Sequence, residues 1–324
     1  MKPKHIQTRL IEPMLTDSWP ENHKLKMPKK QWLDYYKPKE ETFNSILERI
    51  DELGRETYIV ALSGGKDSGV VLDKLYKLGK KLRGFYIKTN TGIKPTEDFV
   101  KDTCQKYGIR LDIREPTPHS HVYVAIVCEI GFPDAGMHDM IMSYLKYKTM
   151  MKYVTEPEFK TKRPVLMSGV RKFESERRKF NYNEPINVDS KKLWFCCPVF
   201  YETDNEVYQY YVENGIKKSR AYDYTDSSLE CGCGTFGNKK DMEAIKILDP
   251  DRYAFFQDLT EFVRKHGTPL AKRHLTWGGE GWNETERNEV LTKYLGDKYA
   301  HAVNVAQMVC GSECGSTMRG LESI

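Results

Sequence analysis

No run of roughly 18 or more apolar residues occurs in this 324-residue chain, so the sequence offers no membrane-spanning helix. The opening Met1-Lys2-Pro3-Lys4-His5 leads into no apolar segment of the secretory-leader type, and a cytoplasmic location is expected. Internal repeats and low-complexity tracts are missing. The hydrophobic content of 39% suits a globular chain with one large domain plus appendages, or two domains. The spacing G-x-x-x-x-G-K-[ST] is absent, which excludes a Walker-type phosphate loop. The excess of one sign of charge is small. A net value of +5 suits an anionic substrate, whether nucleotide or nucleic acid, without choosing between them.

What the chain does have is concentrated in Tyr58-Ile59-Val60-Ala61-Leu62-Ser63-Gly64-Gly65-Lys66-Asp67-Ser68. The β-branched, apolar run 58–62 predicts a buried parallel strand. Gly64 and Gly65 allow a sharp turn whose N–H groups point inward as an anion nest. A helix with Val70, Val71, Leu72, Leu75 and Leu78 on its apolar side then aims its positive end at the same point. Lys66 adds a cation, and Ser63 and Ser68 add hydroxyl donors. A bare Gly-Gly after a strand is usually only a tight turn. The full set of Ser, Gly, Gly, Lys, Asp and Ser instead predicts phosphate binding, with a nucleotide as the carrier.

Beyond this loop the pattern alternates. Strands are expected at 82–88, 109–114, 164–168 and 193–201, with helices at 41–53, 96–107, 122–130 and 138–153. The fold class is α/β: a Rossmann-like, doubly wound, parallel five-stranded sheet with helices on both faces. Ligands of such sheets bind beyond the carboxyl ends of the strands. Residues 1–40, rich in Pro and Lys, read as an extension, 41–202 as the nucleotide-binding domain, and 203–324 as a cysteine-bearing, mostly helical region. Helices are expected there at 205–214 and 239–266, and after a capping-box-like Asn283-x-x-Glu286.

Two further stretches fall at strand ends. Thr89-Asn90-Thr91-Gly92-Ile93-Lys94-Pro95-Thr96-Glu97 alone would be an ordinary turn before a helix. Ser168-Gly169-Val170-Arg171-Lys172-Phe173-Glu174-Ser175-Glu176-Arg177-Arg178 reads either as an exposed charged turn or as a loop whose arginines clamp phosphate or sulfate oxygens. Basic residues concentrate at 160–179, as a solvated face or an anion-facing one.

Eight cysteines in a reducing compartment argue against structural disulfides. Cys104 and Cys128 lie in apolar segments and read as core thiols. The other six form close pairs: Cys196-Cys197, Cys231-Gly232-Cys233, and Cys310 with Cys314. Such spacing lets two thiolates converge on a metal or redox centre.

The three strand-end motifs, in this order, resemble the phosphoadenosine phosphosulfate (PAPS) reductase family of the PP-loop superfamily over about residues 40–240. The resemblance assigns Ser63, Gly64, Gly65, Lys66, Asp67 and Ser68 to the nucleotide loop. It assigns Thr91 and Gly92 to the turn beside that loop, and Gly169, Arg171 and Arg178 to a sulfonucleotide-binding arginine loop. It implies thiolate attack on the sulfur of PAPS or adenosine phosphosulfate, with an external thiol such as thioredoxin releasing sulfite. The family nucleophile lies in a C-terminal Glu-Cys-Gly, which here is Glu313-Cys314-Gly315, with Lys66, Arg171 and Arg178 supplying positive field.

Some members of that family carry a 4Fe–4S cluster. The resemblance suggests Cys196, Cys197, Cys231 and Cys233 as ligands, with Cys310 as a further candidate. Zinc is the alternative, because four thiolates also suit it. Here the Cys-Cys pair follows the arginine loop rather than preceding it, and the second pair is one residue short. An intact Ser-Gly-Gly-Lys-Asp-Ser is also typical of PP-loop relatives that cleave ATP, with Mg²⁺, between its α and β phosphates. Such enzymes insert sulfur into nucleic acid, as in DNA phosphorothioation or tRNA thiolation, and the basic stretch at 160–179 would then face a polynucleotide. A nucleotide-binding subunit without catalysis is the third reading.

Overall fold

The run that announces the phosphate loop forms the central strand of the sheet, β1 (Thr57–Ala61). Tyr58, Ile59 and Val60 are buried because β1 is paired in parallel on both edges, with β2 (Leu82–Ile87) and with β4 (Pro164–Met167). A computed structural model describes residues 41–55, 57–160, 162–174, 184–188 and 194–295. Arg178, Cys310, Cys314 and residues 1–40 lie outside that set.

The helices follow their sequence signals closely. Helix α1 (Phe43–Glu52) is closed by a reciprocal Thr42–Ser45 capping box, and it buries Ile46, Leu47 and Ile50. Helix α2 (Lys66–Lys77) follows the glycine pair, and α3 (Lys94–Lys106) begins with Pro95 in its first turn. Strand β3 (Leu111–Arg114) pairs with β2. Helices α4 (Val122–Ile130), α5 (His138–Met142) and α6 (Lys148–Val154) come next, with a π-helical turn, Ser143–Tyr147, joining the last two. The helix expected at 138–153 is therefore continuous in path but wound differently at its centre.

The sheet has six strands, not the expected five, in the order β3-β2-β1-β4-β6-β5. Strand β5 (Ile186–Val188) is the addition, and it pairs antiparallel with β6 (Trp194–Cys196). A three-residue edge strand is too short to leave a periodic signature, so its partner supplies what its own sequence does not announce. The strand expected over 193–201 contracts to β6. Pro198 has no N–H for the ladder, and the chain turns there, with the Phe200 N–H donating to the Cys197 carbonyl at 3.0 Å.

C-terminal to the sheet, α7 (Asp204–Glu213) opens with a Thr203–Glu206 capping box. Tyr210 on α7 and Tyr107 both donate to the buried Asp73 carboxylate of α2 at 2.8 Å, which ties α7 to the helix that follows the phosphate loop. The segment expected as one helix over 239–266 breaks into α8 (Lys239–Leu248) and α9 (Pro250–His266). Pro250 cannot continue a helix but starts one well, and Asp249 caps α9 by accepting from the Arg252 N–H. Helix α10 (Glu284–Leu295) follows. Faces of α4, α5, α8, α9 and α10 share one apolar cluster that includes Tyr123, Phe132, Ile245, Phe256 and Val290. Cys104 is buried, and Cys128 packs half-buried against that cluster. Among the described residues no helix is long and apolar enough to cross a membrane.

Candidate functional site: a nucleotide cleft at the switch point

From β1 the chain proceeds to β2 and β3 on one side and then returns to place β4 on the other. The crevice beyond the carboxyl ends of β1 and β4 is therefore the topological switch point, where open α/β sheets bind ligands. A cleft opens there, lined by residues that include Ser63, Asp67, Ser68, Phe85, Lys146, Ser168, Gly169 and Glu230.

The loop leaving β1 has the conformation its glycines predict. Gly64 adopts φ +76°, and a Cβ there would meet Thr96 Cγ2 at 2.7 Å, so both backbone angle and space demand glycine. Gly65 is the N-cap of α2 and offers no side-chain cap. The first-turn N–H groups of this helix are thereby left for an anion, whereas α1, α7 and α8 close theirs with side chains. The Gly65 N–H donates to Ser63 Oγ at 3.3 Å, and the Ser68 hydroxyl donates to the Gly65 carbonyl at 3.1 Å, which holds the turn closed. Lys66 is partly exposed, with its Nζ 3.4 Å from Asp67 Oδ2.

The second and third motifs reach this loop as buttresses. A Cβ on Gly169 would lie 2.7 Å from the Asp67 carbonyl carbon and from the Ser68 nitrogen, so the β4 turn packs directly on the start of α2. Arg171 stands beneath the loop rather than in its mouth. Its side chain is 2% exposed, Nε donates to Asp67 Oδ1 at 2.9 Å, and Nη2 donates to Asp204 Oδ1 at 2.5 Å. The expected phosphate clamp is thus spent on two carboxylates, locking the loop to the start of α7. Lys172 is buried beside it, so neither belongs to a solvated face. Thr91 is buried, with its Oγ1 3.0 Å from Thr89 Oγ1, and Gly92 presses against the Glu230 carbonyl. The Ile93 N–H donates to the Leu229 carbonyl at 3.1 Å, so this turn holds the 228–233 segment against the end of β2.

That segment delivers what sequence reasoning missed. Glu230 and Lys146 form a buried ion pair at 2.5 Å, and both line the cleft. Burial pushes the Glu230 carboxyl up to about 7, against the opposing pull of Lys146. The only sequence signal was the Cys-Gly-Cys next to Glu230, because nothing in the segment 143–148 marks Lys146 before the fold brings it there. Next to Glu230, the half-buried Cys231 places Sγ 3.7 Å from Thr91 Oγ1. Its thiol is lowered to about 5, chiefly by hydrogen bonding from Cys233, while burial opposes and Lys146 assists. Burial alone pushes the Cys104 thiol up to about 12. Brief alkylation of native protein at pH 7 is expected to modify Cys231 well before Cys104, read by peptide mass mapping. Equal rates would show that Cys231 is not held as a thiolate.

Among the described residues, the pairs Cys196-Cys197 and Cys231-Cys233 do not come together as one ligand set. Cys196 is fully buried beside Cys197 in the field of Arg49 and Glu41, and burial holds its thiol well above the ordinary range. Cys231 sits among Cys233, Thr91 and Lys146. Among the described residues no three His, Cys, Asp or Glu side chains converge as metal ligands. A cluster or zinc ion on Cys196, Cys197, Cys231 and Cys233 does not fit this arrangement, and no chemistry is routed through one.

A mostly parallel α/β sheet with a glycine-rich loop at its switch point has the architecture in which open sheets bind ligands. Residues 57–234 match the family model of the phosphoadenosine phosphosulfate reductase domain. The chain belongs to that family. Comparison with the curated proteins gives no match. Among solved structures, the chain is similar to PAPS reductase from Candida auris at 19% identity and TM-score 0.43, over 62% of this chain and 95% of that one. It is also similar to the FMN adenylyltransferase of Candida glabrata (15%, TM-score 0.40, 67% of each chain). The ammonia-dependent NAD synthetase of Campylobacter jejuni is similar at 13% identity and TM-score 0.40, over 75% of this chain and 98% of that one.

Proposed function

We propose that the protein is an enzyme that binds an adenosine sulfonucleotide, PAPS or adenosine phosphosulfate, and reduces it to sulfite through a cysteine nucleophile. The observation that carries this reading is the uncapped start of α2 beside Ser63, Ser68 and Gly169, an anion cradle at the sheet's switch point. In it the N–H groups of the first helical turn and the Ser63 hydroxyl hold phosphate oxygens, while Ser68 keeps the turn closed and Lys66 offsets charge on the departing nucleotide.

The reduction needs a thiolate to attack the sulfonate sulfur. An S–S bond forms as the S–O bond to the nucleotide breaks, and the nucleotide leaves with the electron pair. A thiol from an external dithiol such as thioredoxin then attacks the enzyme sulfur, releasing sulfite and leaving a mixed disulfide that its second thiol resolves. The Glu313-Cys314-Gly315 segment, which resembles the family's C-terminal Glu-Cys-Gly, supports Cys314 as the first thiol.

The test is an anaerobic assay of sulfite release from PAPS and from adenosine phosphosulfate with excess dithiol. Cys314→Ser is expected to abolish sulfite release while nucleotide binding persists. Full activity in that variant would remove Cys314 from the mechanism, and no sulfite from either nucleotide with wild-type protein would overturn the reductase reading.

A further inference from the structure

Among the described residues Cys231 and Cys233 converge with no third metal-ligating side chain, yet they meet each other. The Cys233 thiol and the Cys233 N–H both donate to the Cys231 sulfur. Residues two apart in sequence have Cα atoms at most about 7 Å apart, so this pair lies within or close to the range that a disulfide spans. Cys231 is half-buried and Cys233 is buried, so a small reactant approaches Cys231 first and finds Cys233 behind it.

The main chain that carries the pair is held by several separate elements. The Glu230 carbonyl accepts from Thr89 Oγ1 at 3.2 Å, just past β2. The Gly232 carbonyl accepts from Trp277 Nε1 at 3.0 Å, and the Cys233 carbonyl accepts from the Tyr123 hydroxyl of α4 at 2.7 Å. A Cβ on Gly232 would stand 2.4 Å from the Thr91 carbonyl oxygen, so the spacer between the cysteines packs without a side chain. Cys231 Sγ lies 3.7 Å from Thr91 Oγ1, and Cys233 Sγ lies 3.3 Å from Thr235 Oγ1. With the main chain fixed, rotation about the two χ1 angles is what brings the sulfurs together. The donors from Cys233 and the nearby charge of Lys146 favour the thiolate at Cys231, the form that attacks a disulfide.

We propose that Cys231 and Cys233 form a redox-active dithiol that exchanges with small-molecule disulfides such as glutathione disulfide, Cys231 attacking and Cys233 resolving. The Cys231 thiolate attacks one sulfur of the reactant, forming a mixed disulfide, and the other sulfur leaves as a thiolate with the electron pair. Cys233 then attacks the Cys231 sulfur, and its proton passes to a departing thiolate as the Cys231–Cys233 bond forms. The pair is oxidised by two electrons, and the reactant is reduced to one thiol and one thiolate. This activity goes beyond the reading of the cleft as a sulfonucleotide site, because it needs neither nucleotide nor Cys314. It gives the pair a chemistry that two thiols suffice for, in place of the metal-ligand role that their spacing suggested.

The test incubates reduced full-length protein with glutathione disulfide at neutral pH without oxygen, quenches with acid and maps tryptic peptides by mass. The peptide Ala221–Lys239 holds Cys231 and Cys233 and no other cysteine. In wild-type protein this peptide is expected to lose two hydrogens and to retain no glutathione. Cys233→Ser is expected to keep one glutathione on Cys231, and Cys231→Ser to react about tenfold or more slowly. Circular dichroism checks that both variants are folded. A wild-type peptide that keeps glutathione on Cys231 without closing, or a Cys231→Ser variant that reacts as fast as wild type, would overturn the proposal. So would purified protein that holds iron or zinc and whose peptide reacts only after the metal is chelated. None of these outcomes bears on sulfite release, so the exchange and the reductase reading fail separately.

Discussion

Replacing Arg171 with methionine is expected to destabilise the protein by about 3–5 kcal/mol, because the guanidinium is the buried partner of both Asp67 and Asp204. Removing it takes the buried counter-charge from a nearly inaccessible carboxylate in the first turn of α2, where the nearby Lys66 ammonium, at 3.4 Å, is partly exposed. In a thermal melt the midpoint should fall on the order of 10 °C. Arg171→Lys should rescue little, since a single ammonium cannot replace a planar fork that reaches two carboxylates on separate elements. An arginine that only gripped substrate phosphate would behave oppositely, leaving the melting temperature intact while nucleotide affinity fell. A normal melt for Arg171→Met would therefore restore the phosphate-clamp role that the sequence suggested.

The second large effect is expected at Gly92. A Cβ there would stand 2.0 Å from the Glu230 carbonyl oxygen and 2.6 Å from its carbon. Backbone atoms cannot swing aside as a side-chain end can, so Gly92→Ala must push the 228–230 segment away. The hydrogen bond from the Ile93 N–H to the Leu229 carbonyl would then be strained, and Glu230 would shift relative to Lys146. Overpacking of this kind costs about 1–3 kcal/mol. The functional loss should be larger than the melt alone implies, because the displaced residue lines the cleft. Titration of ADP into Gly92→Ala at a temperature where it remains folded measures this. Wild-type affinity there would show that the turn does not set the cleft wall.

The four expectations about residues 91, 92, 169 and 171 share one lesson. Their chemistry suggested direct contact with the substrate, and their burial shows most of it directed to the glycine loop and its surroundings. Thr91 and Gly92 hold the 228–233 segment, Gly169 packs on the start of α2, and Arg171 ties Asp67 to α7. Gly169 alone of the four lines the cleft.

The glycine loop and its flanking strand and helix were legible from the chain because every signal they need is local. An apolar β-branched run, two glycines and a Lys-Asp-Ser opening fix conformation within about a dozen residues. That β1 is a buried parallel strand followed from the same run, since a strand covered on both faces can be apolar throughout, whereas its place at the centre came from the fold. The partners of Arg171 and Lys146 had no such signal. Arg171 meets Asp67 across a separation of 104 residues, and Lys146 meets Glu230 across 84. Strand β5 likewise exists only because β6 offers an open edge. Sequence by itself determined where a phosphate group can sit, because backbone conformation is a short-range property. The fold decided which charges surround that group, because buried ions take whatever partner the chain's return path sets beside them.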